Sequence, residues 1–171
     1  MEKSGKIFLH SPLYLLITMI NLLGEYDCKV DAKGRLMLPS GLKKQLVDIA
    51  HEGFVVNRNI FEPCLDVYPM SEWKKVSERL SSLNRFVRKE ALFIRKFLNG
   101  ATPLNLDGNS RVNLPASLMD YAGITKQVIV LGNNDRVEIW DKEQYGKMLS
   151  EDIDFASLAE EVMGNKDDKG E

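Results

Sequence analysis

Two short segments of the 171-residue chain carry charged side chains at a repeated spacing. The first is Asp31-Ala32-Lys33-Gly34-Arg35 and the second is Asp107-Gly108-Asn109-Ser110-Arg111. An aspartate accepts hydrogen bonds from backbone N–H groups two residues on, and so closes a turn. Gly34 tolerates a positive φ, and Asn109 is expected to supply the left-handed conformation of the second turn. Asp31, Gly34, Asp107 and Gly108 therefore read as turn-forming residues. Arginine offers a planar fork that can hold guanine O6 and N7 together, and lysine suits a phosphate. Lys33, Arg35, Asn109 and Arg111 are thus candidate DNA contacts. The same residues also fit a structural role, with an Asp31–Arg35 pair holding the hairpin. On residue types alone the two readings weigh equally.

Other chemistries lack a convergent set. Cys28 and Cys64 have no CxxC spacing, are too few for a disulfide framework, and sit in apolar runs as small buried hydrophobes. His10 and His51 are too far apart to suggest a ligand pair. There is no Ser/His/Asp set, phosphate-binding glycine loop or flavin fingerprint in the sequence. The expectation is a protein that is not an enzyme, with no metal, cofactor or small-molecule substrate, in a reducing cytoplasm.

The turns sit inside an internal repeat. The run 30–39 recurs as 106–115, with Asp, Arg and Pro kept at an offset of 76, and Leu42 and Leu118 keep the same offset. Further on, Cys64-Leu65-Asp66-Val67-Tyr68-Pro69 is echoed by Arg136-Val137-Glu138-Ile139-Trp140-Asp141 at an offset of 72. Each copy reads as a strand (25–30; 102–106), the tight turn, and an alternating strand (35–38; 111–114) that proline ends. A short helix follows (40–49; 116–122), then a strand (53–57; 127–131), a polar turn, a last strand (64–69; 136–141) and a helix from about Ser71 or Lys142. Trp73, Trp140, Tyr68 and Tyr145 occupy matching places, which favours packing over base stacking. Between the copies, 71–99 has helical apolar spacing through Leu80, Leu83, Val87, Ala91, Ile94 and Leu98. Ser71 and Glu72 are expected to open it, Asn84 to break it in two, and Gly100 to stop it.

The composition is that of a globular chain, 44 % hydrophobic and 28 % charged. Its net charge of −2 argues against nucleic acid until it is divided. Residues 150–171 hold eight acids against two lysines, −6, which leaves +4 for 1–149. Residues 71–100 hold eight Lys or Arg against three Glu. These basic helices read first as a solvated face. A phosphate-contacting surface or an interface with acidic patches of a neighbouring subunit are the alternatives.

Residues 7–23 are the most apolar stretch, preceded by Lys3 and Lys6. A secretory signal is opposed by His10-Ser11-Pro12 within the run and by the lack of a small-residue cleavage site. The uninterrupted part, 13–23, is short for a membrane span. The remaining reading is a start placed too early, with Met19 as the true initiator and residues 1–18 poorly anchored.

The paired Asp-x-x-x-Arg turns, each followed by apolar-x-apolar-Pro, resemble the SpoVT/AbrB-type swapped-hairpin module. Two such modules in one chain resemble the MraZ family of bacterial transcriptional regulators of the division and cell-wall gene cluster. The similarity runs from about 23 to 164 and rests on Gly24-Glu25-Tyr26, the first turn, Cys64-Leu65 with Tyr68-Pro69 and Trp73, and Glu138-Ile139-Trp140. It begins near Met19, in keeping with the later start. The resemblance implies an α+β fold of two tandem swapped-hairpin modules packed with pseudo-twofold symmetry, plus helices between the copies and at the C-terminus. The expected divisions are an N-terminal extension (1–22), repeat 1 (24–72), a helical connection (73–100), repeat 2 (101–145), and an acidic C-terminal helix and tail (146–171). It implies DNA contact by Arg35, and by Arg111 as its equivalent, in a nucleoid-associated ring-like homo-oligomer on short direct repeats of promoter DNA. The competing function is an oligomerisation or partner-binding module that leaves DNA alone.

Overall fold

The computed structural model describes residues 19–164 and contains eight strands there, the four central ones of its main sheet built from runs rich in Val, Ile, Tyr and Trp. The expectation for residues 1–18 lies outside the described residues. Repeat 1 supplies β1 (Glu25–Lys29), β2 (Arg35–Met37), β3 (Phe54–Arg58) and β4 (Leu65–Pro69). Repeat 2 supplies β5 (Thr102–Leu104), β6 (Arg111–Asn113), β7 (Gln127–Asn133) and β8 (Arg136–Asp141). Pro39 and Pro115 end β2 and β6 and start α1 (Ser40–Gln45) and α4 (Ala116–Tyr121). Proline does both because it cannot donate to a ladder, while its φ suits a helix entry. The remaining helices are α2 (Met70–Ser81), α3 (Arg88–Leu98), α5 (Lys142–Leu149) and α6 (Phe155–Met163).

The repeats exchange strands. Six strands form one antiparallel sheet in the order β1-β7-β8-β4-β3-β5, and β2 and β6 form a separate ribbon. The first strand of each repeat therefore pairs with the third strand of the other. Cys28 faces Val128 as Leu104 faces Phe54. In the middle, Asp66 lies opposite Glu138, flanked by Leu65 opposite Ile139 and Val67 opposite Val137. In the ribbon Leu36 lies opposite Val112, flanked by Arg35 with Asn113 and Met37 with Arg111. Both pairings are centred on equivalent residues, so a pseudo-twofold axis passes through Leu36/Val112 and Asp66/Glu138.

The main core lies between one face of the sheet and a cover made of the ribbon, α1 and α4. Leu36, Leu42, Leu46, Val112, Leu118 and Ala122 enter it from the cover, and Val56, Leu65, Val67, Val128, Val130 and Ile139 from the sheet. On the opposite face α2 lies on β3 and β4, and α5 on β7 and β8. The matched aromatics pack there: Tyr68 with Trp73 at 5.6 Å and Trp140 with Tyr145 at 5.7 Å between ring centroids.

Some local expectations change. α2 begins at Met70, one residue earlier than Ser71, and Pro69 holds its cap position with no side-chain hydrogen bond. The Ser71 hydroxyl is buried without a partner, so it does not cap. The equivalent of Pro69 is Asp141, which does cap α5 by accepting from Glu143 N and Gln144 N. Asn84 does mark the break between α2 and α3: its Oδ1 accepts from Phe86 N at 2.9 Å and its carbonyl from Val87 N at 3.0 Å. Gly100, at φ +90°, turns the chain out of α3. Leu22 is buried and exchanges two backbone hydrogen bonds with Asn134, so residue 22 is anchored to repeat 2.

Candidate nucleic-acid interface

Each Asp-x-x-x-Arg segment closes as a ring of hydrogen bonds. Asp31 Oδ1 accepts from Lys33 N at 2.9 Å and Arg35 N at 3.0 Å, and Asp31 Oδ2 accepts from Arg35 Nε at 2.7 Å. In the second turn Asp107 Oδ1 accepts from Asn109 N at 2.8 Å and Arg111 N at 3.0 Å, and Oδ2 from Arg111 Nε at 2.8 Å. The backbone N–H of each arginine, helped by its guanidinium, holds the carboxyl of Asp31 and of Asp107 below the usual carboxylate range. The turn also reaches across the axis: Leu38 N donates to Ser110 O, and Leu114 N to Gly34 O.

The positive φ does not fall where the sequence placed it. Gly34 has φ +78°, and its counterpart is Ser110 at φ +58°, not Asn109. The ring of bonds accepted by Asp107 spans five residues, and the left-handed position is the one just before the arginine. Local asparagine propensity is overridden by that closure. Gly108 lies in the turn without a positive φ.

The ribbon brings the candidates together. Leu36 and Val112 point into the core, so Arg35, Met37, Arg111 and Asn113 take the outer face. Arg35 and Arg111 are diagonal neighbours across β2 and β6, a placement with side chains roughly 7–8 Å apart. Lys33 and Asn109 are exposed at the two ends of this face. Each arginine uses Nε for its aspartate, and among the described residues its two terminal nitrogens have no partner. The structural pair and an outward-facing fork thus coexist. Met37 and Asn113 were not singled out from the sequence. The alternation of β2 and β6 was the signal that could have found them.

A second constellation lies on the axis, also unmarked in the sequence. Buried Asp66 accepts from Asn59 Nδ2 at 3.1 Å and from the Tyr68 hydroxyl at 3.3 Å. Glu138 repeats this with Asn133 Nδ2 at 2.7 Å and Trp140 Nε1 at 2.8 Å. Arg136 then breaks the symmetry. Its Nη1 donates to the Tyr68 hydroxyl at 2.7 Å and to Asp66 at 3.3 Å, and its guanidinium lies 4.7 Å from the Tyr68 ring centroid. Burial raises the Asp66 carboxyl, opposed by Asn59 and Arg136. Cys64, Asp66 and Glu138 bring three possible ligand atoms within 4.8 Å of one another. Protein donors already occupy both carboxylates, and burial pushes the Cys64 thiol up, away from the thiolate a metal would need. The cluster reads as satisfied packing at the axis. The repeat offsets of Asn59/Asn133 and Asp66/Glu138 were its only trace in the sequence.

Among the described residues, no helix is long and apolar enough to cross a membrane. The model of the family described as "MraZ protein, putative antitoxin-like" matches this chain twice, over residues 22–96 and 97–166. The "Transcriptional regulator MraZ" of Christiangramia forsetii is 50 % identical over 153 residues, covering 89 % of this chain and 99 % of that protein. The protein of the same name from Flavobacterium psychrophilum is 45 % identical over 151 residues, 88 % of this chain and 96 % of that protein. That from Cytophaga hutchinsonii is 42 % identical over 141 residues, 82 % and 93 % respectively. With two matched repeats spanning the described fold and relatives aligned along nearly their whole length, the chain belongs to the MraZ family.

Proposed function

We propose that the chain is a sequence-specific DNA-binding transcriptional regulator, acting as a ring-like homo-oligomer on short direct repeats in the promoter of the division and cell-wall gene cluster. Its site of action is then the cytoplasm, at the nucleoid. The names of its relatives support the regulator. The observation that carries the contact is the placement of Arg35 and Arg111 on one outward ribbon face, each pinned through Nε with its outer nitrogens open. A two-stranded ribbon fits the major groove. There each arginine would take guanine O6 and N7, while Lys33 would neutralise a phosphate and Asn109 would contact the flanking backbone or base edge. The Asp31 and Asp107 carboxylates act as positioning groups, because they remove the rotamer freedom that an exposed arginine otherwise loses on binding.

One ribbon offers few cations. Assembly repeats it, so successive ribbons meet successive repeats, and affinity grows through effective concentration rather than through each contact. The pairing of a mild +4 body with this arrangement favours specificity over bulk attraction.

A binding titration with promoter DNA carrying short direct repeats tests the reading. Arg35→Ala and Arg111→Ala each are expected to lose about 1–3 kcal/mol, roughly tenfold or more, while keeping the fold. Lys33→Ala is expected to weaken binding to all sequences alike and flatten the salt dependence. Unchanged binding by Arg35→Ala removes it from the mechanism. Defined oligomers that bind no DNA even at low salt would replace the whole reading with an assembly module.

A further inference from the structure

Helix α6 is locally well specified but buries none of its residues. Asp154 caps it, accepting from Ser157 N at 3.2 Å and from the Ser157 hydroxyl at 2.8 Å. Phe155, Leu158, Ala159 and Val162 recur at helical spacing, yet no residue of the helix is buried and Phe155 is 78 % exposed. Glu160 and Glu161 lie on the same short helix, in the most acidic part of the chain. An isolated helix of nine residues is marginal in water, because tertiary burial of an apolar face supplies most of a helix's stability.

A groove of matching character lies between the end of β3, α3 and α4. It is lined by Arg58, Ile60, Phe93, Lys96, Phe97 and Tyr121. Phe93 and Phe97 stack at 5.9 Å, and the Arg58 guanidinium lies 5.0 Å from the centroid of the Tyr121 ring. Ile60, Phe93 and Tyr121 remain exposed. Arg58 Nε is shut off from solvent without a hydrogen-bond partner. Among the described residues neither Arg58 nor Lys96 forms an ion pair. The groove thus has an apolar floor and cations with no counter-charge, and α6 has an apolar face beside acids.

We propose that α6 of one chain docks in this groove of a second copy. The inference rests on the homo-oligomer reading above and names its interface. Helix and groove are different surfaces, so the contact is head-to-tail, the kind that closes into a ring when the rotation allows. The aromatic floor separates this groove from a phosphate-binding face, which has no use for Phe93 and Phe97. It also lies on elements other than the β2–β6 ribbon, which leaves the arginines free.

The test uses the full chain, with mass read by light scattering over a range of protein concentrations. The double variant Phe155→Ser/Leu158→Asp and the single variant Lys96→Glu are expected to raise the concentration needed for assembly by about tenfold or more. Both are expected to keep the far-ultraviolet circular dichroism and melting of the two-repeat body, since no residue of α6 is buried and Lys96 is not among the buried residues of α3. Wild-type mass in both variants overturns the interface while the ring stands. Lys96→Glu that loses DNA but assembles normally assigns the groove to phosphate and also overturns it. A monomeric wild type overturns the homo-oligomer reading itself.

Discussion

In repeat 1, Asp31 Oδ2 lies 2.7 Å from Arg35 Nε; in repeat 2, Asp107 Oδ2 lies 2.8 Å from Arg111 Nε. At the axis the same duplication gives unlike neighbours. Arg136 leans from repeat 2 onto Tyr68 and Asp66 of repeat 1, while its counterpart Cys64 is buried in an apolar cluster with Ile129, Trp140 and Tyr145. The turns can match because each is closed within five residues and the bonds that reach it from the other copy, Leu38 N to Ser110 O and Leu114 N to Gly34 O, are themselves equivalent. At the axis, equivalent side chains converge. Two guanidiniums facing each other there would repel in a desolvated site, so one cation serves the Asp66 side and Glu138 takes neutral donors from Asn133 and Trp140. Duplication keeps the backbone symmetric, and the side chains at the axis part company.

Four experiments would break or sharpen that comparison. The largest effect is expected in the shared core: Leu42→Ala and Leu118→Ala remove equivalent, fully buried side chains. Each should cost about 2–5 kcal/mol in chemical denaturation, and by similar amounts. A cost confined to one repeat would show that the halves are not equivalent in packing. Next comes the axis. Arg136→Met leaves Asp66 desolvated with fewer donors and should cost about 2–3 kcal/mol, while Cys64→Ala at the equivalent place should cost about 1 kcal/mol.

A smaller difference separates the two left-handed residues. Gly34→Ala should destabilise by about 1 kcal/mol, because φ +78° strains an L side chain and a Cβ there would meet Leu114 O at 2.9 Å. Ser110→Gly should be close to neutral, since relief of strain at φ +58° offsets the entropy glycine loses. Equal losses at both sites would refute the assignment of Ser110 as the counterpart of Gly34.

The smallest effect is a pH dependence of opposite sign in the two regions, read by NMR of the carboxyl carbons. Asp31 and Asp107 should titrate below about 3.9 and Asp66 above it. For the lowered pair, stability is present above the unfolded value and lost as pH falls through the folded one. For Asp66 it is present below the unfolded value and lost as pH rises through the raised one. Acid should therefore loosen the turns, whereas at the axis it is a rise in pH that removes stability. An Asp66 midpoint below those of the turn aspartates would overturn the opposite signs.

Much of the fold was readable from particular residues. The paired prolines 39 and 115 gave the strand ends and helix starts, Asn84 gave the break after α2, and the matching places of Tyr68/Trp73 and Trp140/Tyr145 pointed to packing, though not to which face of the sheet carries it. The left-handed turn residue was misplaced at Asn109, although the offset of 76 that Asp and Arg keep points to Ser110. The carboxylates of the axis escaped notice for a different reason. An isolated Asp66 or Glu138 in a strand looks like a solvated edge residue until the partner strand is known.

The sequence by itself determined what closes over a few residues: the two Asp–Arg turns, the proline stops and the capping aspartates. These depend on backbone groups two to four positions away, which no later packing step rearranges. Only the tertiary structure decided which strands are neighbours, that Arg35 and Arg111 share one ribbon face, and that Arg136 meets Asp66 across 70 residues. Such pairings are set by burying one face of each repeat against the other. That free energy belongs to the two halves together, so neither copy's residues encode it alone.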